Sequence, residues 1–429
     1  MYKKFVSVFF CILFLLTGIN LKGTAQERTP AQDTLKLTLQ QAEDLFLKNN
    51  LRLIAERYNI DIASAQVISA RLFNNPSVAF TNGIYASQVP NAYSQQEINV
   101  SQLITTAGKR NKSIQLASIN AEQTKYQFFD LLRTLQLTLR TDFYNIYYQE
   151  QSVKVYDQAI GSLATTLDAF KKQYAKGNIA EKEVLRIQSE LYSLQTEYNG
   201  IQTSIDTVQN EFKTFVRITT PGTYIQPQYN GDLTGQKLIT AIPYQRLLDS
   251  AYVNRYDLKA AKSAVDYSNV NLNLQKAIAV PDLNLSVGYD KLGSYGNNFI
   301  GGGISFDLPF FNRNQGNIRA ARIAIDQSKA LLQNQQNQVA NDVATTYKTA
   351  LRLEQLTNSF DPRFRQDFTH LIQEVFKNYQ RRNISLLEFL DFYESYKNNI
   401  IQSNNLQLNR ISSLEQLNYV TGTRFFNQQ

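Results

Sequence analysis

The sequence predicts a mainly α protein with a small β part, in which long antiparallel coiled-coil helices carry four amphipathic strands per chain. Three observations predict it. First, the chain repeats itself at an offset of 205 residues, so that Tyr174, Asn178, Ile179, Glu183 and Leu185 meet Tyr379, Asn383, Ile384, Glu388 and Leu390. The same offset pairs Leu53 with Leu258, Pro76 with Pro281 and Gly83 with Gly288, and a two-residue slip pairs Arg110 and Asn111 with Arg313 and Asn314. Second, Val153, Tyr156, Ile160, Leu163, Leu167, Phe170 and Tyr174 recur at alternating steps of three and four, the seam of a coiled coil. Third, in DLNLSVGYDK the apolar Leu283, Leu285, Val287 and Tyr289 alternate with Asp282, Asn284, Ser286, Gly288 and Asp290, the period of a strand with one wet face.

The ends are read first. MYKK is basic, the run from Phe5 to Ile19 is apolar but short for a transmembrane helix, and Gly23, Thr24 and Ala25 offer a cleavage site. Residues 1–25 are therefore expected to be a signal peptide, with the mature chain starting near Gln26. Cys11, the only cysteine, lies inside the apolar run instead of ending it, which disfavours a lipid anchor and removes the thiol with the leader. A secreted chain without cysteine must be held by burial or assembly, not by disulfides. The formal charge of +8 includes Lys3, Lys4 and Lys22 of the leader, and the remainder is spread without a dense basic block, so no nucleic-acid partner is expected. With one His, no Trp and Met only at position 1, neither an enzyme nor a metal site is expected, and no cofactor.

The first copy is expected over residues 26–218. A helix at 39–73 ends before Pro76, strands follow at about 77–86 and 95–105, a long helix runs 110–176, and another runs 180–218. At 1.5 Å per residue the long helix spans roughly 100 Å, so the molecule must be elongated. Residues 219–243 carry Pro221, Gly222, Pro227, Gly231, Gly235 and Pro243 and read as a turn-rich connector. The second copy, 244–429, repeats the plan: helix 245–279, strands at about 282–291 and 299–308, long helix 315–378 with a kink or joint at Asp361 and Pro362, and helix 384–421.

Each strand is about ten residues long, enough to cross a bilayer when tilted. A half-buried soluble sheet is the bland alternative. Spanning strands must close into a barrel, which needs about eight or more, and four cannot close. A cyclic oligomer in which each chain gives four would close, a trimer giving twelve. Gly301, Gly302 and Gly303 fit a strand needing close backbone approach better than a phosphate cradle, and Gly108 with Lys109 lacks the flanking residues of a P-loop.

Several runs resemble the TolC-like outer-membrane efflux ducts, the outer membrane factor family, and the likeness covers nearly the whole mature chain. TTAGKRNKSIQLA, with Gly108, Lys109 and Arg110, resembles the family's basic turn from strand to long helix. LPFFNRNQGNIRAA, from Leu308 to Ala321, is similar to the matching run of the branch associated with cobalt, zinc and cadmium efflux. The resemblance implies a homotrimer with a twelve-stranded barrel in outer-membrane lipid and a twelve-helix periplasmic tunnel. It also implies partners: a hexameric periplasmic adaptor, or membrane fusion protein, and an inner-membrane pump of the RND type.

By the same resemblance the two helix-joining loops are the adaptor-binding tips, formed by Tyr174, Gly177, Asn178, Ile179 and Ala180 in one copy and Tyr379, Arg382, Asn383, Ile384 and Ser385 in the other. Read locally, these residues also make ordinary tight turns. The family has Gly where Arg382 stands, so the tips are expected to differ. Glu388 and Asp391, three apart on one helix face, would form carboxylate rings at a periplasmic gate, against Glu183 and Arg186 in the first copy. An ordinary solvated face is the alternative. His370 reads as a packing or surface residue, and the tract Gln333 to Asp342 as a polar helix wall. The function so implied is a passive exit duct of a tripartite efflux pump. The rivals are a trimeric coiled-coil adhesin or structural envelope protein and the outer-membrane part of a type I secretion system.

Overall fold

The computed structural model describes residues 33–84, 95–231, 236–293, 296–361, 363–381 and 383–426. The expected leader, residues 85–86 of the first strand, Pro362 and Arg382 lie outside the described residues.

The elements in chain order are β1 (Thr34–Leu37), α1 (Leu39–Asn49), α2 (Leu51–Arg71), β2 (Ser77–Asn82), β3 (Gln96–Ile104), α3 (Lys109–Ala175), α4 (Glu181–Val216), β4 (Tyr224–Pro227), α5 (Tyr244–Asn254), α6 (Tyr256–Ile278), β5 (Leu283–Gly293), β6 (Gly296–Ser305), α7 (Gln315–Ser359), α8 (Phe364–Gln380) and α9 (Leu386–Thr421). With 67 residues, α3 is about 100 Å long. It packs against α2, α4, α6 and α9, and α7 packs against α6 and α9.

Two features depart from the sequence reading. Each copy's opening helix is two helices, broken at Asn50 and at Arg255, which stand 205 residues apart. Neither break contains Pro or Gly; each is held by a side chain that makes both a local and a tertiary bond. Asn50 Oδ1 accepts the Leu53 N–H at 3.0 Å, while its Nδ2 donates to the Phe215 carbonyl at 3.0 Å, so one side chain caps α2 and ties it to α4. Arg255 is buried, and its guanidinium bonds Asp257 at 2.6 Å and Asp342 at 2.9 Å. Part of the polar tract before Asp342 is thereby used in packing, since Gln335 Nε2 also donates to Asp257 at 2.9 Å.

The second departure is the parallel pair β1–β4, with Thr34 opposite Tyr224, so the connector is partly a strand. Four residues are too few for a period to show, and the partner is remote in sequence. Further along the connector, the buried Glu354 carboxylate accepts the N–H groups of Leu238 at 2.6 Å and Ile239 at 2.8 Å, with Arg410 3.8 Å away. This clamp fastens the connector onto α7 and α9. The second long helix is discontinuous at the expected kink or joint: α7 stops at Ser359 and α8 begins at Phe364.

The four long strands form one antiparallel sheet in the order β2-β3-β5-β6, and the β3–β5 pairing joins the two copies. Val78 pairs with Val100, Val100 with Val287, and Val287 with Gly302, so apolar residues run across one face. Ser77, Ser101, Ser286 and Gly303 run across the other, and Ser77 Oγ lies 2.7 Å from Ser101 Oγ. A Cβ at Gly303 would come within 2.8 Å of Ser286 Oγ, so any larger residue at that crossing must turn the serine hydroxyl aside.

Two hydrophobic cores form. The first surrounds the middle of α3, where Leu139, Phe143 and Ile146 meet Phe212, Leu247, Val339 and Ile411. The second holds the far hairpins, where Leu163 meets Ile187, Leu194 and Phe389. The sheet belongs to neither. Val78, Phe80, Val287, Ile300 and Ile304 are 59–71% exposed, although burying such a side chain is worth roughly 1.5–3 kcal/mol. Their burial requires something outside the single chain.

Candidate functional site

The two tips close the far ends of the helical hairpins. The seam residues Leu163 and Leu167 of α3 are buried against Val184, Ile187 and Leu191 of α4, which brings the chain to a tight reversal. Gly177 holds φ +74°, and the Gly177 N–H donates to the Tyr174 carbonyl at 2.9 Å while the Asn178 N–H donates to the Gln173 carbonyl at 3.0 Å. This is a left-handed helix stop of the Schellman kind. A Cβ at Gly177 would meet nothing within 4 Å, so backbone conformation, not space, calls for glycine.

The second tip repeats this bracket. The Asn383 N–H donates to the Asn378 carbonyl at 2.9 Å, and Asn383 Nδ2 donates to Asn378 Oδ1 at 3.1 Å. In the first tip Asn178 Nδ2 donates to Gln173 Oε1 at 2.9 Å. Each asparagine thus grips the residue five positions earlier with both its backbone and its amide. Ile179 and Ile384 turn inward onto the far core, while Tyr174, Gly177, Asn178, Ala180, Asn383 and Ser385 are exposed.

The tips differ in how the returning helix starts. α4 has Ala180 at its cap with no side-chain acceptor, although Glu181 and Glu183 in its first turn complement the helix dipole. α9 has a full capping box: Ser385 Oγ accepts the Glu388 N–H at 3.2 Å, and Glu388 Oε2 accepts the Ser385 N–H at 2.8 Å and its hydroxyl at 2.9 Å. The Ser385 bonds hold the exposed Glu388 carboxyl below the usual carboxylate range. Asp391 is exposed one turn further along α9, and Arg186 is exposed on α4.

The tyrosines also differ. Tyr174 is 45% exposed. Tyr379 stacks on Phe389 with ring centroids 4.4 Å apart and 9° between planes, and lies 6.1 Å from Phe170 of the other hairpin. Its hydroxyl is buried without a hydrogen-bond partner among the described residues, and burial, with Glu183 nearby, pushes its pKa up. Tyr379 therefore supports the tip from beneath.

Two further groups escaped the sequence reading. Lys397 of α9, buried among the hairpins, places Nζ 2.9 Å from Glu197 Oε2 of α4, and the Tyr156 hydroxyl of α3 donates to the same oxygen at 3.0 Å. No repeat or period marks this trio, because its members come from three helices. At the opposite end, Lys109 Nζ bonds Asp282 at 2.7 Å and the Val280 carbonyl at 2.6 Å, and the Arg110 guanidinium lies 3.8 Å over the Phe73 ring. The basic turn thus fastens the first copy's helix to the second copy's strand entry. His370 is exposed, and no group of three or more His, Cys, Asp or Glu able to hold a metal occurs among the described residues. No described helix is long and apolar enough to cross a membrane.

A family model described as outer membrane efflux protein matches residues 43–215 and 247–423, one stretch in each copy. The cobalt-zinc-cadmium resistance protein CzcC of Cupriavidus metallidurans is 21% identical over 330 residues, 77% of this chain and 75% of that protein. The Campylobacter jejuni CmeC outer membrane channel superposes with a TM-score of 0.75 at 16% identity, over 91% of this chain and 87% of that one. The open state of the Neisseria gonorrhoeae MtrE outer membrane channel gives 0.69 at 16% identity, over 90% and 89%.

Proposed function

Because this chain belongs to the outer membrane efflux protein family, whose members are transport components of the outer membrane and not enzymes, we propose that it is the passive exit duct of a tripartite pump. The observation that carries this reading is a pair of matching open edges. The sheet β2-β3-β5-β6 ends in unpaired edges at β2 and β6, and the helical layer beneath it runs α2-α3-α6-α7 and ends at α2 and α7. The outer helices keep large apolar residues open: Leu51, Tyr58 and Ile62 on α2, and Ile323 and Leu331 on α7, all 57–61% exposed. One rotation that sets β6 beside the next chain's β2 also sets α7 beside its α2. Such a contact closes a ring, and three chains give twelve strands and twelve helices, which removes every unpaired edge from the lipid.

In this reading the apolar sheet face meets lipid and the Ser and Gly face lines the pore. Each chain offers two tips, six in the ring, to a hexameric periplasmic adaptor serving an inner-membrane pump of the RND type. The exposed Tyr174, Gly177, Asn178, Ala180, Asn383 and Ser385, with Arg382 between the last helices, make the contact, while Ile179, Ile384 and Tyr379 hold its shape. Glu388 and Asp391 line the periplasmic entrance. Since the Glu388 carboxylate also caps α9, the charge at the entrance and the geometry of the tip are linked. The similarity to CzcC makes divalent metal cations the first cargo class to test.

The decisive experiment is outer-membrane fractionation followed by planar-bilayer recording. A heat-sensitive trimer band with cation-preferring conductance is expected. A monomer, or a trimer that conducts nothing even after neutralising Glu388 and Asp391, would sink the duct reading.

A further inference from the structure

Where α7 stops and α8 begins, the surface opens into a cavity of about 1050 Å³ between α3, the helix break and α9. That is just above the roughly 300–1,000 Å³ typical of small-molecule sites. Tyr147 and Tyr148, which line it, also pack on Tyr229 of the connector with ring centroids 5.3 and 6.4 Å away. The cavity therefore opens on the side of the helices crossed by the connector.

Its lining differs from both cores. α9 contributes the carboxamides of Asn399, Gln402 and Asn405, and α3 contributes Gln151. Each carboxamide donates and accepts, which suits a ligand whose edge alternates donors and acceptors. The helix break contributes Phe360 and Phe364, 53% and 47% exposed. Half-exposed aromatic rings beside a polar wall are unfavourable when bare, and flat apolar faces suit them. The charged lining residues Asp361 and Arg365 are of opposite sign, so no net charge selects for an anion such as phosphate.

Flat C–H faces, hydroxyl edges and neutrality together describe a pyranose chain, and acetamido groups match a carboxamide wall in kind. We propose that this cavity binds a neutral sugar chain bearing acetamido groups, with Phe360 and Phe364 stacking on the rings and Asn399, Gln402 and Asn405 bonding the acetamido and hydroxyl groups. The site is separate from the tips and the entrance, and its test does not depend on conductance.

The probe is the trisaccharide of N-acetylglucosamine, added to full-length protein in detergent and followed by saturation-transfer NMR and calorimetry. Cellotriose, the same backbone without acetamido groups, is the comparison. Transfer to the acetamido methyl protons is expected, with binding at least tenfold weaker for cellotriose and for each of Phe364→Ala and Asn405→Ala. Both positions are exposed, and unchanged circular dichroism melts would show that the variants fold. Absence of transfer to wild type would overturn the proposal, as would undiminished binding by both variants. Cellotriose binding as tightly would overturn the acetamido assignment. If Phe364→Ala instead weakened self-association with no sugar bound, the cavity would belong to an interface between copies, which also overturns it.

Discussion

Substituting Asp142 by Asn should stabilise the protein at pH 8 and leave it unchanged at pH 3. Asp142 stands on α3 between the fully buried Leu139, Phe143 and Ile146; it is itself 8% exposed, and its Oδ2 has no hydrogen-bond partner among the described residues. Burial first, and the Glu211 carboxylate of α4 second, push its carboxyl up to about 7. The folded state therefore keeps a proton that the unfolded chain gives up near pH 4, so stability falls as pH rises from about 4 to about 7 and then levels. A three-unit rise corresponds to about 4 kcal/mol. Glu211 is exposed and water-screened, so roughly 2 kcal/mol is the working figure.

An amide never ionises, so Asp142→Asn recovers that amount above pH 7, part of it at pH 5, and nothing at pH 3, where the acid is protonated in both the folded and the unfolded chain. Paired thermal melts of the full-length protein in one detergent, at one scan rate, should give a variant a few degrees higher at pH 8 and coincident at pH 3. Equal melting at pH 8, or an equal loss at both pH values, would show that the carboxylate is ionised and partnered, and would refute the reasoning.

Three further outcomes are expected. Gly177→Ala should cost roughly 1–2 kcal/mol locally, because φ +74° is strained for any residue with a Cβ; faster amide exchange of Lys176 and Asn178 would report it, as would reduced adaptor crosslinking. Neutralising Glu388 and Asp391 together should raise single-channel conductance at neutral pH or weaken cation selectivity, and unchanged values would remove them from the entrance. In the buried trio, Lys397→Met and Glu197→Gln should be coupled by about 1 kcal/mol in a double-mutant cycle, since the two lie 2.9 Å apart but Glu197 keeps access to water. Additive losses would show that the pair does not hold the hairpins together.

The tips show how much of the candidate site was legible. The 205-residue match marked Asn178 and Asn383, and both make the same double grip on the preceding helix. It also matched Tyr174 with Tyr379, which the tertiary structure separates: one is exposed and the other is stacked under the turn. The Ser385–Glu388 spacing is a capping box visible in sequence, but the same Glu388 with Asp391 also reads as an acidic helix face, and only the folded geometry shows the carboxylate engaged at the cap. Lys397, Glu197 and Tyr156 were invisible because a bond between three helices leaves no local period.

What the sequence by itself determined follows from local physics. Periods of 3.5 and 2, prolines after helices and a glycine at the helix stop act within a few residues, so duplication, long helices, amphipathic strands and turn positions could all be read directly. Tertiary structure alone decided the breaks at Asn50 and Arg255, the β1–β4 pair, the Glu354 clamp on the connector and the cavity at the α7–α8 joint. All but the cavity depend on a hydrogen bond or ion pair between remote segments, whose energy exists only once packing has excluded water around the partners, and the cavity exists only where α3, the α7–α8 joint and α9 come together.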